Sequence, residues 1–90
     1  MREASKKITG GKLVKMRRDE KTGRVTIHGD FFLHPEESVF ALEDLLSGLP
    51  PSTGEGKTTT LVTELMQEEG IQAVGFVAGD LASLFSEVAH

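Results

Sequence analysis

The sequence predicts an α+β fold, with a small antiparallel sheet of two to three strands followed by about three helices packed on one of its faces. Three observations carry this expectation. Apolar residues alternate with period two on either side of a turn between residues 12 and 29, the period lengthens to that of a helix after Pro35, and the strand-like runs precede the helical ones. At 90 residues, 38% hydrophobic and 27% charged, the chain has ordinary globular composition, and a single domain over 1–90 is expected. A domain of this size buries only about 60–65% of the surface its unfolded chain exposes, which leaves little room for an enclosed active-site cavity.

Residues 1–9 read either as a flexible basic tail or as a short leading strand. Lys12–Arg18 then alternates, with Val14 and Met16 on one face and Lys15 and Arg17 on the other alongside Leu13. Asp19–Gly23 is a turn, and Arg24–Gly29 alternates again with Val25 and Ile27 inward, so the two runs form an antiparallel hairpin. Pro35 stands at a first helical position, with Glu36 and Glu37 in the first turn, where the helix dipole favours anions, and Gly48 at the C-terminal end. Val39, Phe40, Leu42, Leu45 and Leu46 make the apolar stripe of this helix, opposed by Glu36, Glu43 and Asp44. Ser52 and Glu55 have the spacing of a capping box ahead of a second helix over about Lys57–Glu69, whose buried side would be Leu61, Val62, Leu65 and Met66. Ile71–Ala78 is apolar and fits either type of element. Asp80 is placed to cap a last helix with Leu81, Leu84, Phe85 and Val88 on one face.

Composition excludes several kinds of chemistry. With no cysteine, the chain has no disulfide, no thiolate metal site and no thiol nucleophile. No secretory signal opens it, and Ile71–Ala78 is far too short to cross a bilayer, so a cytoplasmic protein with no membrane partner is expected. The net charge of −4 is unevenly spread: residues 1–18 hold seven basic side chains and one acid, a balance of +6, and residues 19–90 hold three basic and thirteen acidic, a balance of −10. Such a basic segment suits an acidic protein surface or a phosphate-rich ligand, but the stronger reading is a solvated face of an edge strand, whose lysines discourage aggregation. No aromatics interleave with it, so nucleic acid is not expected as a partner.

Few residues are arranged for catalysis. Gly54-Glu55-Gly56-Lys57-Thr58 has the end of a phosphate-binding loop, which makes Lys57 the one candidate cofactor contact. Pro51, however, stands where the loop needs its first glycine, and a helix precedes it where a strand is required. His28 and His34, beside Asp30, Glu36 and Glu37, match no metal-ligand spacing, so no metal is expected. No nucleophile and base stand in a recognisable pattern, and no catalytic residue is expected.

The informative run is Gly29-Asp30-Phe31-Phe32-Leu33-His34-Pro35-Glu36-Glu37, where strand gives way to helix. Gly29 permits a bend, Asp30 can bond local backbone, and adjacent Phe31 and Phe32 cannot both face the same side of a strand. Either one ring anchors the core and the other meets a partner, or both enter the core at the turn.

With Lys12-Leu13-Val14-Lys15 before it and Pro35-Glu36-Glu37 through Leu46-Ser47-Gly48 after it, Val25-Thr26-Ile27-His28-Gly29-Asp30-Phe31-Phe32 resembles the C-terminal accessory domain of lipoate-protein ligases, which in some archaea is a separate small subunit. The resemblance implies a fold similar to iron–sulfur scaffold and sulfur-acceptor proteins. It also implies a non-catalytic subunit that forms a heterodimer with a catalytic one, in an AMP-forming ligase that activates lipoate to lipoyl-AMP. ATP and lipoate would then be used by the complex, with no cofactor bound by this chain alone. The interface candidates are Gly29, Asp30, Phe31, Phe32 and His34, together with Lys12, Lys15 and Arg17 of the basic segment. The competing expectation is a general protein-binding regulatory module unrelated to lipoate.

Overall fold

The structure, a computed structural model, describes residues 1–8 and 12–89. Three strands, β1 (Arg2–Ile8), β2 (Lys12–Arg18) and β3 (Val25–Gly29), form an antiparallel sheet in the order β1-β2-β3. β4 (Phe32–His34) follows, then helices α1 (Ser38–Ser47) and α2 (Glu55–Glu68), β5 (Gln72–Val74) and α3 (Ala78–Ala89). β4 and β5 pair antiparallel as a separate two-stranded sheet. The α+β class is as the sequence predicts. No helix among the described residues is long and apolar enough to cross a membrane.

The predicted hairpin is present, and its inward residues are the expected ones: Val14, Met16, Val25 and Ile27 are buried, with Met16 opposite Ile27. Its loop is tied by the Asp19 carboxylate, whose Oδ1 accepts the Lys21 N–H at 2.9 Å, and Gly23 takes a positive φ of 77°. Of the two readings for the first residues, strand is the one found: Arg2–Ile8 pairs along β2 from Arg2 opposite Arg18 to Ile8 opposite Lys12, so these residues are not a tail. Leu81, Leu84, Phe85 and Val88 of α3 are all buried, as their spacing predicts, and pack across β1 and β2. α1 lies against β3, and α2 packs on α3 through Val62. At about 1.5–3 kcal/mol for each fully buried large apolar side chain, this one core is what holds the sheet to the helices.

The helix starts differ from the sequence expectations. α1 begins at Ser38, because Ser38, Val39 and Phe40 donate to the carbonyls three residues back at Pro35, Glu36 and Glu37. Pro35–Glu37 is therefore a tight turn, and no acid lies in the first turn of the helix. α2 begins at Glu55 behind Gly54, and the Ser52–Glu55 capping box does not form, because Glu55 is already the first helical residue and no side chain caps the end. α3 begins at Ala78, two residues before Asp80. Asp80 caps from inside the first turn, its Oδ2 accepting the Val77 N–H at 2.9 Å.

Two residues of α1 also change sides. Phe40, expected in the apolar stripe, is exposed, whereas Glu43, expected on the solvent face, is buried. Phe40 lies three and four residues before Glu43 and Asp44, on their side of the helix and away from the buried Leu42 and Leu46, and β3 explains why Glu43 is covered. It is an edge strand, and its outward N–H groups need acceptors. The Val25 N–H donates to Ser47 Oγ at 2.8 Å and the Ile27 N–H to Glu43 Oε2 at 2.7 Å. Positions four apart on a helix rise about 6 Å and positions two apart on a strand about 6.6 Å, so the two ladders match. Arg24 covers the same seam, with Nη1 2.6 Å from Asp44 Oδ1 and Nη2 3.8 Å from Glu43 Oε1. The hydrogen bond to Asp44 raises the Arg24 pKa above its ordinary value, with the charges of Asp44 and Glu43 adding to it against a smaller loss of solvation.

Candidate functional site

Gly29 fixes where the chain leaves the three-stranded sheet. Its φ is 144°, and a Cβ added there would stand 2.1 Å from the Leu13 carbonyl oxygen, so no side chain fits. The next N–H, that of Asp30, donates to the same Leu13 carbonyl at 2.8 Å. The chain then crosses to β4 under a second close contact: a Cβ on Gly75 (φ 113°) would meet the Asp30 carbonyl oxygen at 2.9 Å and Phe31 Cα at 3.0 Å. The Asp30 carboxylate accepts no hydrogen bond among the described residues, so its expected bond to local backbone is not found there.

Between these two glycines the phenylalanines separate. Phe31 turns inward and meets the buried Phe76 edge to face, with centroids 5.2 Å apart and planes at 82°. Phe32 turns outward and is 72% exposed. Of the alternatives left open by the sequence, the one with both rings in the core is therefore not adopted. Opposite Phe32 in the β4–β5 pair stands Val74, 59% exposed, and beyond it Val77, 66% exposed. His34 alternates onto the same face as Phe32, opposite Gln72. Lys12 Nζ lies 5.8 Å from the centre of the Phe32 ring, within cation–π range.

Beside this apolar spot an open cleft of about 670 Å³ runs between the end of β1 and the β5–α3 connection. Lys6, Lys7 and Lys12 line one side, and Val74 and Val77 line the other. Lys6 is held by Asp80, Nζ to Oδ1 at 3.1 Å. A smaller cleft of about 380 Å³ lies on the other flank of β4, between His28, Gly29, Phe32 and Val39.

Of the residues singled out in the sequence, the structure brings together Gly29, Asp30, Phe31, Phe32, His34 and Lys12. Lys15 and Arg17 lie elsewhere, on the outer face of the three-stranded sheet, where Lys15 is opposite His28 and Arg17 bonds Glu3. Lys57 is exposed in the first turn of α2. Its neighbour Thr58 is fully buried and donates to the Gly54 carbonyl at 2.9 Å, so the hydroxyl that a phosphate loop turns toward a metal is engaged with backbone here. The element leading into this run is α1 and its connector. Among the described residues no three His, Asp or Glu side chains are placed to hold a metal ion.

Val74 and Val77 escaped the sequence reading. Their signal lies inside Ile71–Ala78, where Ile71 and Ala73 face in and Gln72 and Val74 face out, but a three-residue strand shows this alternation only once its partner is known. What the assembled surface offers chemically is apolar contact flanked by positive charge. No family model, curated protein or solved structure matches the chain.

Proposed function

We propose that this chain is the non-catalytic accessory subunit of a lipoate-protein ligase, which docks on the catalytic subunit and is required there for ATP-dependent activation of lipoate to lipoyl-AMP. The observation that carries the reading is the disposition of the run on which the resemblance rests. Gly29-Asp30-Phe31-Phe32 stands at the seam between the two sheets, with one ring seated on Phe76 and the next displayed to solvent. A large exposed ring on a closely packed backbone turn suits a recognition surface, since aromatic anchors contribute strongly to binding when a partner covers them.

Adenylate formation holds ATP and a carboxylate in line and keeps water from the mixed anhydride. A compact domain docked over an open site supplies such closure without donating a catalytic group. In this reading ATP, lipoate and the acceptor chemistry belong to the catalytic subunit, and the chain's contribution is positioning and exclusion of water.

The test mixes the chain with the catalytic subunit of a lipoate-protein ligase that lacks its own C-terminal domain, then measures lipoyl-AMP formation and complex formation by gel filtration. Stimulation together with a one-to-one complex is the expected result. No complex and no stimulation would overturn the assignment in favour of a protein-binding regulatory module unrelated to lipoate, and a complex without stimulation would overturn the requirement for activation while leaving the docking.

A further inference from the structure

The β4–β5 face and the lysine-lined cleft beside it form one continuous surface: Phe32 stands opposite Val74, Lys12 lies over the Phe32 ring, and Val74 and Val77 share the cleft with Lys7 and Lys12. We infer that this surface, and not the basic outer face of the three-stranded sheet, is the docking side, and that it receives a protein surface carrying an apolar side chain flanked by carboxylates. The inference rests on the accessory-subunit reading for the identity of the partner.

Three observations select such an occupant. First, exposed apolar side chains that stand together mark contact surfaces where scattered ones do not, and Phe32, Val74 and Val77 are each more than half exposed within one patch, whereas Met1 and Phe40 stand elsewhere. Second, two of the three lysines at the cleft have no ion-pair partner among the described residues. Lys6 is paired with Asp80, but no ion pair to Lys7 or Lys12 occurs among the described residues, although the molecule as a whole is −4. An acidic partner surface complements them. Third, a free phosphate is disfavoured at the polar end of the cleft. The N-terminus of α3, where backbone N–H groups would meet an anion, already holds the Asp80 carboxylate on the Val77 N–H. By contrast, among the described residues the strands of the three-stranded sheet carry no exposed large apolar side chain on the outer face, and Arg17 there is bonded to Glu3.

The experiment measures affinity for the lipoate-protein ligase catalytic subunit by titration calorimetry, with wild-type chain and the variants Phe32→Ala, Val74→Glu, Lys12→Glu and Lys15→Glu. Each variant is first checked by circular dichroism and thermal midpoint. Should Val74→Glu fail to fold, Phe32→Ala and Lys12→Glu carry the test. Loss of affinity by about tenfold or more is expected for the first three variants, the size of an anchor residue's contribution, with Lys15→Glu within about threefold of wild type. If wild type binds and only Lys15→Glu weakens it, the docking side is wrong while the accessory-subunit reading stands. If wild type does not bind, that reading fails, and the partner named here fails with it. Two further results would overturn the inference: self-association of the isolated chain abolished by Phe32→Ala, which makes the occupant a second copy, or Lys12-dependent binding of ATP or inorganic phosphate to the isolated chain, which makes the cleft an anion site.

Discussion

Gly29 and the two phenylalanines after it set the sharpest constraints at the scale of single residues. A Cβ at position 29 would collide with the Leu13 carbonyl in a backbone conformation that L side chains rarely adopt, so Gly29→Ala must move one strand or the other. A loss of about 2–4 kcal/mol in unfolding free energy is expected, read from the midpoint of urea denaturation. Phe31 and Phe32 should respond very differently to truncation. Phe31→Ala removes a ring packed on Phe76 and should destabilise by about 2–3 kcal/mol, whereas Phe32→Ala should change stability by less than about 0.5 kcal/mol. Equal losses at the two positions would contradict the orientation of the rings. The sequence requires the two side chains to diverge, because adjacent strand residues point to opposite faces. It does not say which ring turns inward, since that depends on Gly75 and Phe76 arriving from more than forty residues away.

At the scale of elements, the notable arrangement is a helix that closes a sheet edge through its side chains. Glu43 and Ser47 of α1 accept the N–H groups of Ile27 and Val25, which would otherwise be unpaired at the edge of β3. Glu43→Ala leaves a buried donor without a partner and should lower stability by about 1–3 kcal/mol, while Glu43→Gln keeps an acceptor in place and should lose less. Amide exchange separates the two contacts: in Ser47→Ala the Val25 amide should exchange faster while Ile27 keeps its protection. Helical periodicity assigns Glu43 to the solvent face, and the error has a plain cause. Periodicity reports which way a residue points around its own helix, whereas the need for an acceptor comes from strand order, which is not a local property. The same limit hid β4 and β5, because three-residue strands carry too little pattern. The hairpin and α3, with longer runs, were legible down to their inward residues.

At the scale of the whole molecule, the +6 segment divides between two surfaces. β1 and β2 send Lys6, Lys7 and Lys12 to the cleft and Lys15 and Arg17 to the bare side of the sheet. Charge counting locates the segment, but only the strand register reveals this division. The proposed association through the cleft should therefore weaken as salt is raised from about 0.05 to 0.5 M, mostly through a slower on-rate, and stopped-flow mixing with the proposed partner tests this. One core joins the sheet to all three helices, so thermal unfolding should be a single cooperative transition. Far-ultraviolet circular dichroism is the suitable probe, because the chain has no tryptophan or tyrosine.

The paired backbone contacts at Gly29 and Gly75 separate two properties that usually change together. The heading of the exposed ring is set mainly by main chain against main chain at these two glycines, and of the core side chains only Phe76, packed on Phe31, bears on it directly. Trimming the interior, as in Leu84→Ala, should thus lower the melting temperature while the folded fraction keeps its affinity for the proposed partner, so durability and the display of Phe32 can be retuned independently.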